Sequence, residues 1–292
     1  MNLHAVFLWA MMSAATAASL TIRPDCEGDC GNVNIPYPFG TRDDCFLNED
    51  FFINCSRNST HSQPFLRKGN YVVQEIMLEN HELRVLSSVA RRCYNKTGYL
   101  VKNTLVSGNL KLFPFSNKRN KFTAVGCDTE ALFRGENVTT GCLSVCNSTD
   151  SVTSGSCSGI GCCQTSIPKG LLKYNVTVYT SHNHTFTWSF NPCSYTFLVE
   201  EGSFNFSTAD LIDLQKIDKV STVLDWAVGN QTCEEAQKNS TSYACKENSN
   251  CTKSDNGPGY RCYCSVGYRG NPYLPNGCYG IFWLLRLYYC LI

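Results

Sequence analysis

Cys30-Gly31-Asn32-Val33-Asn34-Ile35-Pro36-Tyr37-Pro38-Phe39-Gly40 cannot be a helix. Pro36 and Pro38 fix φ and remove two backbone donors. The residue before each proline is pushed toward extended geometry. Gly31 and Gly40 bracket the run as permissive turn points. The stretch predicts a stiff extended arm with Ile35, Tyr37 and Phe39 on one face. Cys26 and Cys45 flank it, which suggests that it is stapled into a small domain. Such aromatics either fill a core or face a ligand, and both readings stay open at this level.

The rest of the composition points the same way. The chain has 292 residues, 43% hydrophobic and 17% charged, with net charge +1. That is room for two or three small domains. Its 19 cysteines imply an oxidising compartment. Zinc is the competing use, since Cys26 and Cys30, or Cys142 and Cys146, mimic paired ligand spacing. Eleven N-x-[ST] sequons favour disulfides in a secreted glycoprotein. The expected acceptors are Asn58, Asn95, Asn137, Asn147, Asn175, Asn183, Asn205, Asn230 and Asn239. Asn54 and Asn250 also begin sequons, but each sits beside a cysteine, where attachment is expected to be hindered. Residues 1–17 read as a secretory signal peptide, with an apolar core at 5–12 and Ala15-Thr16-Ala17 as the cleavage pattern. Its first residues carry His4 but no Lys or Arg. The run is short of the ~20 residues needed to span a bilayer.

Residues 26–127 form the first expected unit, with Cys26, Cys30, Cys45, Cys55, Cys93 and Cys127. Six cysteines allow about 15 pairings, and spacing does not choose among them. Residues 51–53, 71–76 and 77–86 read as strands, the last two joined by a hairpin at Glu79-Asn80-His81-Glu82. Leu83 and Val85 would face the core, with Arg84 outside. From Leu83 to Cys127 there is no Asp or Glu, against nine cations. Tyr94, Tyr99, Phe113, Phe115 and Phe122 interleave with them. This is the composition of a polyanion-binding face, because Arg grips a carboxylate bidentately and Lys adds a point charge. Arg84, Arg91, Arg92, Lys118, Arg119 and Lys121 are the candidate ligand-binding residues. Two other readings compete. The charges can solvate the outer faces of strands, or pair with the ten acids between Glu200 and Asp255, which face only five lysines there. Nucleic acid is excluded as a partner for a secreted glycoprotein without a nucleic-acid motif.

The opening stretch resembles the start of the extracellular galacturonan-binding domain of plant wall-associated receptor kinases. Later motifs agree. Residues 157–170, C-S-G-I-G-C-C-Q-T-S-I-P-K-G, resemble the second extracellular region of those receptors. So do Tyr195-Thr-Phe-Leu-Val-Glu-Glu-Gly-Ser-Phe-Asn-Phe206 and Val223-Leu-Asp-Trp226. The adjacent Cys162 and Cys163 point to different partners, since a vicinal disulfide is strained. In this second expected unit, residues 128–230, strands are expected at 174–180, 185–190, 197–199 and 220–228. Residues 181–184 would be a hairpin turn, and 209–214 a helical turn capped by Thr208.

Residues 233–278 read C-x11-C-x5-C-x10-C-x-C-x13-C and resemble an EGF-like module. That resemblance implies the pairs Cys233–Cys251, Cys245–Cys262 and Cys264–Cys278. Gly229-Asn230-Gln231-Thr232 lacks the acids a calcium-binding version would need. A unit this small depends on its staples for stability. Residues 279–292 form an apolar tail with Arg286 and the odd Cys290, read as a truncated or misspliced end or as a short membrane-associating tail. The expected fold class is mainly β, built of disulfide-rich small extracellular modules and ending in the EGF-like one.

No glycine-rich phosphate loop, H-R-D, D-F-G or G-x-S-x-G is present, so neither an enzyme nor the family's kinase is expected. No cofactor or metal is expected; His182 and His184 read as a solvated turn rather than a metal pair. The resemblance implies a secreted or cell-wall ectodomain for acidic polysaccharide, pectin and its oligogalacturonides, membrane-associated in the full receptor form. The alternative is a protein-interaction module that binds wall proteins or a co-receptor.

Overall fold

The computed structural model describes residue 26 and residues 28–57 and 62–281. The expected signal peptide, the tail beyond Ile281, Asn58 and Cys290 lie outside the described residues. Three antiparallel sheets and three two-stranded ribbons carry the fold. The first sheet runs Lys219–Asp225, Glu82–Ser88, Val72–Met77, Ser62–Leu66, Ile53–Arg57. The second runs Cys162–Ser166, Asn120–Val125, Cys193–Glu200, Ala90–Tyr94, Leu100–Thr104. The third runs Thr139–Val145, Asp128–Arg134, Lys173–Tyr179, Val106–Asn109. Among the described residues no helix is long and apolar enough to cross a membrane.

The alternation at 82–88 works as its sequence predicts. Leu83 and Val85 are fully buried, and Arg84 points off the sheet. Division at residue 127, by contrast, does not separate sheets. Lys219–Asp225 pairs with Glu82–Ser88 along seven residues, and the second and third sheets each mix strands from both sides of 127. Period-two patterning identifies a strand and its buried face but carries no address for its partner. The disulfides cross the same line: Cys93–Cys193 and Cys127–Cys146 join the two halves. The remaining bridges are Cys26–Cys45, Cys30–Cys55, Cys142–Cys163 and Cys157–Cys162, with Cys233–Cys251, Cys245–Cys262 and Cys264–Cys278 in the C-terminal module.

Three local expectations change. The opening arm is not straight: Phe39 N–H donates to Pro36 O at 3.0 Å, closing a turn that buries Ile35 and Phe39 and leaves Tyr37 half-buried. Residues 185–190 are successive turns rather than a strand. The Asp128 carboxylate accepts the N–H groups of Ser181, His182 and His184 at 2.8, 2.9 and 3.1 Å, and Asn183 and His184 sit at φ +51° and +56°. An anion that gathers three donors from four consecutive residues bends the chain away from any ladder. Thr208 does not cap the short helix Asp210–Asp213; its hydroxyl meets Ser154 Oγ, and Asp210 accepts from Ser207 N instead.

Trp226 is the hub of the core. It is fully buried, with Phe39 and Phe51 edge-on at 5.3 and 5.8 Å and Tyr273 at 5.5 Å. It therefore joins the N-terminal arm, the first sheet and the C-terminal module. Polar contacts fix the same junction: Arg261 Nε donates to Trp226 O, and Asn256 Nδ2 to Phe115 O and Asp225. His81 closes it, with Nε2 2.8 Å from Tyr273 Oη and its ring 4.5 Å from Trp226. Burial, reinforced by the nearby Arg261, holds the His81 pKa down to about 3. The unfolded ring takes up a proton below about 6.5, and the folded one does not until about 3. Its stability contribution is thus complete above about pH 6.5 and declines as pH falls through that window. Between about pH 7 and about pH 5 the loss is about 2 kcal/mol. His81→Asn, which tolerates the φ of +55° here, should flatten that pH dependence in urea titrations. Equal slopes for variant and parent would refute this.

Candidate carbohydrate-binding surface

The six cations singled out in the sequence do not converge on one face. Arg84 grips Glu200 through Nε at 2.7 Å and Nη2 at 3.0 Å, and also contacts Glu75. Arg119 meets the same Glu200 at 2.7 Å and Glu82 at 3.4 Å. The hydrogen bond from Arg84, ahead of that from Arg119, holds the Glu200 carboxyl below its usual range. Arg91 is buried and donates to Gln215 O, Ile217 O and Asp218. Arg92 donates to Val178 O and lies 5.8 Å over the Tyr94 ring. Lys118 pairs with Asp255, and Lys121 with Glu201 at 3.4 Å. Internal pairing with acids of 200–255 is the arrangement the molecule adopts for five of the six, and Arg92 is held by a carbonyl. Lys118 and Arg119 do line a cleft of about 620 Å³ against the C-terminal module, but Glu79, Glu82, Asp225 and Asp255 line it too.

A different cleft, of about 390 Å³, has cations to spare. It lies where the hairpin between Ser62–Leu66 and Val72–Met77 meets the turn after Val106–Asn109. Arg67 forms its wall, tied to Asp50 at 3.3 Å and to Leu110 O at 2.9 Å, with its guanidinium 5.4 Å over Phe113. Burial lowers the Arg67 pKa, against the pull of Asp50. Lys68 and Lys111 stand exposed at the rim, and among the described residues neither ammonium has an acid partner. Phe52 and Tyr71, both half-buried, line the cleft between them. The Tyr71 hydroxyl contacts that of Tyr174, and burial raises the pKa of both. Glu49, exposed, lines the cleft as well, and the arrangement offers two unpaired ammonium groups beside apolar ring surface.

Lys111 was among the nine cations of the acid-free run but not among the six singled out, and Lys68 lies before that run. The missing signal was the turn geometry. Arg67 and Lys111 both have left-handed backbone, at φ +54° and +57°, which turns this pair of loops toward each other.

Elsewhere, His182 is exposed while His184 is buried, its ring nitrogens 2.8 Å from Ser194 Oγ and Asn191 O. The sequon asparagines 54, 137, 147, 175, 183, 205, 230, 239 and 250 are exposed, and Asn95 is half-exposed.

The fold and surface together define a mainly β, disulfide-rich protein with a lysine-rimmed cleft between residues 49–71 and 109–111. Residues 26–87 match the family described as wall-associated receptor kinase galacturonan-binding. The chain is 39% identical over 267 residues to wall-associated receptor kinase 2 of Arabidopsis thaliana, covering 89% of this chain and 35% of that protein. It is 36% identical over 296 residues to wall-associated receptor kinase 5 of the same plant, covering 96% and 38%. With wall-associated receptor kinase 1 the identity is 38% over 265 residues, covering 87% and 34%. The chain thus spans about a third of the length of these curated relatives. It is wall-associated-kinase-like and fits the extracellular region of that family. No solved structure matches.

Proposed function

We propose that this chain binds acidic cell-wall polysaccharide, de-esterified pectin and its oligogalacturonide fragments, outside the cell. The observation that carries the reading is the pair of lysines, Lys68 and Lys111, which have no acid partner among the described residues and share a cleft with Phe52 and Tyr71. Most of that cleft lies within the residues matched to the galacturonan-binding family. Uronate carboxylates would meet the ammonium groups, and sugar faces would lie on the rings. The arrangement serves binding rather than turnover. Among the described residues the serine–histidine contact is Ser194 with His184, and both side chains are buried. The kinase activity in the relatives' names belongs to those proteins, of which this chain spans a third.

The test is retention of the secreted chain on immobilised polygalacturonate at low and high salt, with methyl-esterified pectin alongside. Binding to the acid form alone, weakening as salt screens exposed charges, is expected. Retention by neither form would overturn the reading and turn attention to protein partners.

A further inference from the structure

The second sheet ends in an unusual edge. Leu100–Thr104 is its outermost strand, hydrogen-bonded only to Ala90–Tyr94. Its other side presents unpaired backbone groups among the described residues, a template for pairing with another chain. The edge is also apolar: Tyr99, Leu100, Val101 and Leu105 are 73, 46, 63 and 71% exposed. Lys102 alone blunts the strand with charge. Beside it lies a second apolar segment, with Phe186 77% exposed and Trp188 donating Nε1–H to Tyr94 O at 3.0 Å. The two segments touch. A Cβ on Gly98 would come within 2.9 Å of Thr185 Cγ2 and 3.5 Å of Asn183 Cβ. A secreted protein with this surface bare would invite self-association.

Each segment begins with a sequon. Asn95-Lys96-Thr97 leads into Tyr99 and Leu100, and Asn183-His184-Thr185 into Phe186 and Trp188. Asn95 Oδ1 accepts from Thr97 N, Thr97 Oγ1 and Tyr99 N, at 3.0, 2.8 and 3.0 Å. The carbonyl side of the amide is therefore turned into the loop, and among the described residues no protein group takes up Nδ2. Asn183 is fixed in the same sense by Thr180 Oγ1, 3.1 Å from its Oδ1.

We infer that N-linked glycans on Asn95 and Asn183 cover this edge, and that their function is to block strand pairing through Leu100–Thr104. The attachment is transfer of an oligosaccharide from a lipid diphosphate donor. A bond forms between Asn Nδ2 and C1 of the first N-acetylglucosamine, the C1–O bond to the diphosphate breaks, and the amide gives up one proton as the lipid diphosphate leaves. Two glycans rooted at the starts of these touching segments would sit over a strand of five residues, about 17 Å long. The apolar faces of their inner sugars can lie on Tyr99 and Phe186.

The test uses the whole chain secreted from a eukaryotic host. Glycopeptide mass spectrometry should find both sites occupied. N95Q/N183Q should bind about twofold or more of an apolar dye and sediment partly as dimers or larger species, because an uncovered apolar edge self-associates. N230Q/N239Q, which removes two exposed sequons elsewhere, should stay monomeric with unchanged dye binding. If N95Q/N183Q is not secreted, the parent is deglycosylated enzymatically after folding, and the same two readouts decide. Empty sites in the parent, or an uncovered protein that sediments and binds dye like the parent, overturn the inference. Pectin retention is not a readout here, so this test and that of the binding reading fail independently.

Discussion

A chain with serine at both Cys93 and Cys193 should lose about 4 kcal/mol of stability, enough to stop its secretion. The bond spans 100 residues, and chain-entropy arguments put a loop of that length at about 4.7 kcal/mol. Cys127–Cys146, Cys142–Cys163 and Cys157–Cys162 lie inside that loop and already shorten its free path. The expected effect is therefore somewhat below the bare figure. Cys157–Cys162 encloses five residues of separation, for which the same relation gives only about 2 kcal/mol. Its double serine variant should fold and be secreted. Location adds to the contrast. Cys93 stands opposite Cys193 in the register of two central strands, where the second sheet joins the two halves of the chain. Urea midpoints of secreted material, or yields where none is secreted, give the order. An equal or larger loss for the Cys157/Cys162 pair would defeat the loop-length argument.

The same bond marks where sequence reading reached its limit. Cysteine density and alternating segments, together with the family resemblance, pointed to a disulfide-rich β class, and the structure has that class. Leu83-Arg84-Val85 was legible down to which side chain faces out, because period-two alternation is local information. The partner of Cys93 was not legible, because it sits a hundred residues away on a strand that no pattern addresses. Residues 185–190 alternate as a strand would, yet Asp128, more than fifty residues earlier, gathers the preceding amides and forces turns. The basic run shows the same limit. Its nine cations have no acid in their own segment, and pairing with the acids of 200–255 was one of the readings open for them; Glu200 reaches Arg84 and Arg119 from a strand over eighty residues away. Charge balance along a sequence window is not charge balance on a folded surface. Lys68 and Lys111 stand out only on the folded surface, where the six cations singled out in the sequence are paired or held by carbonyls.

Lys68→Glu with Lys111→Glu should weaken polygalacturonate binding about a hundredfold, each reversal accounting for roughly tenfold, or 1.4 kcal/mol. Each lysine would meet a uronate carboxylate as a charge-assisted donor. Reversal removes that contact and sets like charge against it. Neither ammonium has an acid partner among the described residues, so the folded protein should be unaffected within about 0.5 kcal/mol. The loss can then be assigned to binding. Lys68→Arg with Lys111→Arg keeps the charge and should keep most of the affinity. Lys118→Glu is the informative control, because Lys118 is one of the original candidates and lies in the other cleft, paired with Asp255. That exposed pair is worth under about 1 kcal/mol, and its reversal should change polygalacturonate retention less than about twofold. The opposite result, with Lys118→Glu abolishing retention and the Lys68/Lys111 variant binding normally, would move the site to the cleft beside the C-terminal module. The acids there would then have to be bridged or displaced by the ligand, and binding should strengthen at lower pH. Burial already raises the pKa of both Glu82 and Asp225, so protonation would relieve the repulsion they exert on a uronate. The acids that line the Lys68–Lys111 cleft are Glu49, which is exposed, and Asp50, which is tied to Arg67. Binding there should instead weaken as acid neutralises the ligand's carboxylates, so the sign of the pH dependence separates the two clefts without any mutation.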